Sequence, residues 1–199
     1  MFKIPRIAGC ILACCLFFAT PSLVLAQAAA SPAKPAAPTK PAVGTLIPPA
    51  QIYGKVLSIM EQQFVSAAEA MPEDKFNFAP PASLGEFKDV RTFADQIKHV
   101  TEANYYFFHD PSQPMIDIRP DIEKLTTKAD IVKALKDSFA KAHAFVDTIT
   151  AENAFVQTAH GTRADMAAFG IAHFMDHYGQ IVVYLRMNGI VPPASRGEK

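Results

Sequence analysis

Among the six histidines of this 199-residue chain, two stand four residues apart, at His173 and His177. On a helix that spacing puts both imidazoles on one face, one turn apart. The face is the informative part. Met166, Gly170, His173, His177, Ile181 and Tyr184 follow a single stripe, with Phe169 and Leu185 at its edge. The pair therefore points into a protein interior, where two imidazoles without partners are costly. A metal ion offers both nitrogens an electron-pair acceptor, but two ligands are too few. His99 is the best third ligand. It sits beside a second apolar stripe of Phe93, Ile97 and Val100, on a line with Thr92, Gln96, Ala103 and Tyr106. Three imidazoles leave coordination positions open for water or substrate, the arrangement of catalytic rather than structural metal sites. The competing reading is three partly buried, hydrogen-bonded histidines with no ion.

Other groups carry less chemistry. His109 and His160 fall in loops and read as surface residues, while His143 flanks an apolar stripe and could face inward. Glu102, three residues after His99, reads first as a solvated carboxylate, with an imidazole or metal contact as the alternative. Gln180 either orients a bound water or substrate, or makes a helix–helix hydrogen bond. Arg186 is expected to pair with acidic residues or the helix C-terminus. Tyr105, Tyr106, Phe107 and Phe108 read as core and pocket wall. Carboxylate-bridged di-iron bundles need Glu-x-x-His pairs, and none occurs. The sequence also holds no His-Glu-x-x-His, no Cys-x-x-Cys-His and no glycine-rich phosphate loop.

Four helical patterns position these residues, and no strand alternation competes with them. They run over about Pro49–Ala70, Val90–Phe108, Lys128–Ile149 and Arg163–Met187. Thr127 and Thr162 are expected N-caps, and Asn188-Gly189 is the expected stop of the last helix. Each helix carries one apolar stripe, and the stripes can be buried only against one another. An all-α four-helix bundle follows. The connections are long, so the sequence does not fix which helices are antiparallel neighbours.

Composition bounds the rest. Lys+Arg and Asp+Glu both number 19, so no basic field exists to bind nucleic acid. Residues 1–26 read as a signal peptide: Lys3 and Arg6 precede the apolar run Ile7–Phe18, and Val24-Leu25-Ala26 offers a cleavage site. The protein is thus expected to be secreted or periplasmic. An uncleaved anchor, or lipidation at Cys10 or Cys14, is the less favoured alternative; no stable membrane span is expected after cleavage. All three cysteines (Cys10, Cys14 and Cys15) lie in this segment, which leaves the rest without disulfides or thiolate chemistry. Residues 27–45 form a Pro/Ala-rich linker with Pro32, Pro35, Pro38 and Pro41 three apart, a polyproline II pattern. The domain then occupies residues 46–199.

The run His173-x3-His177-x2-Gln180, continued by Leu185-Arg186 and the exit Gly189-Ile-Val-Pro192-Pro193, resembles the last helix of the DinB/YfiT-like superfamily. Phe76-Asn-Phe78-Ala-Pro80-Pro81 followed by Phe93–His99 is similar to that family's loop and second helix. The resemblance spans roughly Gln51–Pro193. It implies a four-helix bundle that binds a divalent metal through His99, His173 and His177. Some relatives are thiol-dependent transferases or isomerases. An exported chain departs from them, because low-molecular-weight thiols are mainly cytosolic. The expected reaction is metal-dependent hydrolysis or group transfer on an unknown small molecule; a non-catalytic binder and a metal-free bundle are the alternatives. Zinc, nickel or iron would all suit imidazole ligands, and a homodimer is left open.

Overall fold

Threonine followed three residues later by aspartate recurs at Thr92/Asp95, Thr127/Asp130 and Thr162/Asp165, and each pair opens a helix. In all three the threonine Oγ1 accepts from the aspartate backbone N–H, satisfying one of the donors a helix start leaves unpaired. At Thr92 and Thr162 the carboxylate bonds back to the threonine N–H, completing a capping box. The computed structural model describes residues 40–197. The helices are α1 (Pro49–Ala70), α2 (Phe93–Phe107), α3 (Arg119–Glu123), α4 (Lys128–Val146) and α5 (Arg163–Met187). Among the described residues the chain is all-helical, with one isolated bridge between Thr158 and Gly161. The signal segment and residues 27–39 of the linker lie outside the described residues. No described helix is long and apolar enough to cross a membrane.

Three differences from the sequence expectations have local causes. α2 begins at Phe93 rather than Val90, because the capping box fixes Thr92 in an extended conformation. α4 ends at Val146 rather than Ile149, where Thr148 Oγ1 donates to the Phe145 carbonyl and draws the chain into a turn. The one-turn α3 is a fifth helix that the four-helix reading lacked. It opens on Arg119-Pro120, proline being suited to the first turn.

α2 packs against α4 and α5, and α1 packs against the same two, so α1 lies diagonal to α2 and α4 diagonal to α5. Two diagonal steps, and a step between the parallel neighbours α2 and α4 that must return along the bundle, account for the long connections. Pairing fixes direction. Glu61 meets His143 and Glu69 meets Lys136, so α1 and α4 are antiparallel. Gln96 meets Gln180 and His99 meets His173, so α2 and α5 are antiparallel. Asn104 donates to Ser138 and Phe108 packs on Phe145, so α2 and α4 run parallel. The order is up-down-down-up. Phe64, Phe139 and Phe174 fill the centre from α1, α4 and α5, with ring centroids 5.2–6.3 Å apart. All three are fully buried.

The loop between α1 and α2 holds α2 in register. The carbonyls of Phe76 and Phe78 accept from the N–H groups of Ala94 and Phe93 at 2.8 Å, serving donors that the helix start leaves free. At the other end of the site, Gly170 lets α2 approach α5. A Cβ there would meet Phe108 Cζ at 2.6 Å and Phe107 Cβ at 3.0 Å. Gly170→Ala gains about 1 kcal/mol of helix propensity. Overpacking costs about 1–3 kcal/mol and prevails, because both phenylalanines are held in place. A lowered urea midpoint is expected, and an unchanged or raised one would contradict the close approach.

Candidate metal centre

Antiparallel pairing of α2 and α5 brings His99 opposite the turn that carries His173 and His177. Ring centroids lie 5.1 Å (His99–His173), 4.8 Å (His99–His177) and 4.7 Å (His173–His177) apart. One nitrogen from each ring lies within 4.8 Å of the other two. His99 Nε2 and His173 Nε2 stand 3.2 Å apart. Tetrahedral coordination with metal–nitrogen bonds near 2.0–2.1 Å sets nitrogens about 3.3 Å apart, so His99 and His173 already stand at the spacing of a shared transition ion, with His177 close enough to join them. His177 is buried, and His99 and His173 are half-buried.

Hydrogen bonding specifies which nitrogen His177 offers. The Asp176 carboxylate can only accept, so it takes the Gln180 Nε2–H at 3.1 Å and turns Gln180 Oε1 toward Gln96. Gln96 Nε2 donates to that oxygen at 2.8 Å, which leaves Gln96 Oε1 facing His177 Nδ1 at 2.5 Å. A carbonyl oxygen there requires a proton on Nδ1, so the Nε2 lone pair is free. Outer partners of this kind orient metal-binding imidazoles and raise their basicity. Gln96→Ala is therefore expected to weaken metal binding about 10–100-fold, and Gln180→Ala, one link farther out, by less. Equilibrium dialysis against a competing chelator would measure both; equal affinity for Gln96→Ala and the unaltered chain would contradict the relay.

Burial, with Arg91 and the His173 ring adding to it, holds His99 down at about 4. Burial, then the rings of His173 and His99, lowers His177 to about 4. His173 is lowered too, chiefly by burial. All three rings are thus neutral at pH 7, the form that donates to a metal. In the metal-free chain, the unfolded state takes up protons below the ordinary value of 6.5 while the folded rings refuse them. Stability must then fall as the pH drops from about 6.5 toward 4 and lose this dependence below it. Urea midpoints measured against pH in the presence of a chelator check the slope.

Beyond His99 and His173 the site opens into a cavity of about 510 Å³. Tyr105, Tyr106 and Phe107 of α2 form one wall, and Met115, Ile116 and Ile118 ahead of α3 form the other. Glu102 faces it, with burial and then Glu123 raising its carboxyl above the usual range. Arg119 is the cation in the lining, and Asp117 binds it in a fork at 2.9 and 2.8 Å.

A family model described as the DinB superfamily matches residues 57–181, a span that contains all three histidines. The chain belongs to the DinB superfamily. Comparison with curated proteins returns no match. For this DinB-superfamily chain, the expected His99/His173/His177 set is the one that converges. His143 does not join it, and instead pairs with Glu61 at 2.7 Å on the far side of the bundle. Gln180 makes the helix–helix bond. Phe169, expected at the edge of the buried stripe, is 63% exposed and rests on Phe107 at the surface. Arg186 bonds Ser195 Oγ just past the helix end. Gln96 carries the relay, and sequence reasoning did not single it out. The available signal was its type and place: an amide about one turn before His99 on the same line of the helix.

Proposed function

We propose that the chain is an exported metal-dependent enzyme, a hydrolase or group transferase acting on a small molecule held in the cavity beside His99. The observation that carries this reading is the convergence of three neutral imidazoles, one of them oriented by an amide relay, at the edge of an apolar cavity. A divalent transition ion held by His99, His173 and His177 would supply Lewis acidity and a lowered pKa for a bound oxygen or sulfur nucleophile. The chain's own groups supply the rest. Glu102, whose carboxyl pKa is raised by burial and then by Glu123, faces the cavity as a group that can give or take a proton. The aromatic and aliphatic walls take an apolar body. Because Asp117 neutralises Arg119 and Glu102 adds a carboxylate, the cavity favours substrates without net negative charge. Export rests on the signal-like residues 1–26, and an exported form starting at Gln27 is the expected product.

A screen of uncharged ester, amide and thioester substrates tests the reading. Turnover should vanish with a chelator, return with one metal ion, and fall about 10²–10⁴-fold in Glu102→Gln with the metal retained. Bound metal with no turnover across the screen would make the protein a binder. Failure to retain metal would leave a structural bundle.

A further inference from the structure

A second pair of histidines lies on the other side of the Tyr106–Phe107 wall. His109 Nδ1 is 2.6 Å from the Tyr106 carbonyl oxygen. A carbonyl can only accept, so Nδ1 carries a proton, and the tautomer available to metal binding is the one with its lone pair on Nε2. That Nε2 is buried and meets no hydrogen-bond partner among the described residues. The exposed His160 ring stands beside the His109 ring, with centroids 5.0 Å apart and planes at 74°, a separation within the range of the His99/His173/His177 set. A buried acceptor with nothing to accept from is costly, and a shared cation removes that cost.

The surroundings are built rather than incidental. His160 sits in a tight loop, where its own N–H donates to Thr158 Oγ1 and Thr158 pairs with Gly161. Gly161 holds a φ of +106°, a conformation that favours glycine. Both imidazoles line a cavity of about 410 Å³ together with Asp165, whose carboxylate lends negative potential.

We propose that His109 and His160 form a second, weaker binding site for a divalent first-row transition ion, with water completing the coordination. Neutral imidazoles without thiolates select ions such as Zn(II), Ni(II) or Cu(II) over Mg(II) or Ca(II). The site is independent of the His99 centre and of any reaction there.

Zn(II) titration of the untagged full chain, followed by histidine ring NMR signals and by equilibrium dialysis, tests it. The His109 and His160 signals should shift together. A His109→Ala/His160→Ala variant should bind one equivalent fewer than the unaltered chain, and His160→Ala alone should weaken this equivalent at least about tenfold. If the His99 centre binds nothing, the unaltered chain still takes up one equivalent and the double variant none. The proposal is overturned if Zn(II) leaves both signals in place, or if the double variant binds as much Zn(II) as the unaltered chain. Because the readout uses the unaltered chain and a variant with both changes outside the long helices, it does not depend on a damaged bundle.

Discussion

His177→Ala is expected to abolish metal retention, with a loss greater than the roughly 100-fold that an outer-shell residue can cost. Two effects combine. The ion keeps only two imidazoles, and Gln96 loses the buried N–H that its carbonyl oxygen accepts. The second effect persists without metal, where an unsatisfied buried acceptor costs about 1–3 kcal/mol. His173→Ala separates the two, since His173 is half-buried and holds no comparable relay. Both variants should lose the metal, but only His177→Ala should also lower the stability of the chelator-treated protein by that amount. Metal retention by His177→Ala, read by elemental analysis, would contradict the assignment of its Nε2 as a ligand.

Phe174→Ala should be the most destabilising single change. The side chain is fully buried and packs edge-on against Phe64 and Phe139, joining three helices at the centre of the bundle. Removing a buried phenylalanine costs about 3–5 kcal/mol. A domain of this kind has only about 5–15 kcal/mol in total. A fall in Tm of roughly 10 °C or more is expected by calorimetry. Because Phe174 adjoins His173 on α5, metal affinity should fall with stability in this variant. A small change in Tm would mean that the core is not organised around these three rings.

Much of this arrangement was legible in the sequence, for reasons that can be traced residue by residue. α1 and α5 have the expected bounds because their ends are written locally, in Pro48-Pro49, Met71-Pro72, Thr162 and Asn188-Gly189. The three converging histidines were visible because each lies on or beside an apolar stripe, a position where an imidazole needs a partner. The start of α2 was misread although Thr92-x-x-Asp95 repeats the pattern that opens α5. The apolar Val90 drew the boundary outward. α3 was too short for any periodicity to register.

The diagonal placement of α1 against α2 and of α4 against α5 was not legible, since it depends on how long loops cross the ends of the bundle. The relay was hidden for the same reason. Gln96 and Gln180 are 84 residues apart, and only the antiparallel packing of α2 on α5 makes them partners. His109 shows the opposite failure. Its loop position suggested solvent, yet the chain folds back so that its Nε2 is enclosed beside His160.

The most direct test of the metal centre is the metal content of the untagged protein after reconstitution with Zn(II), Ni(II) or Fe(II) and passage over a chelating resin. The resin strips the weaker His109/His160 site, so one equivalent of one of these ions per chain is expected to survive it, and none in the His99→Ala/His173→Ala/His177→Ala variant. Only a trace of every ion in the unaltered chain, or equal retention by the triple variant, would contradict the account.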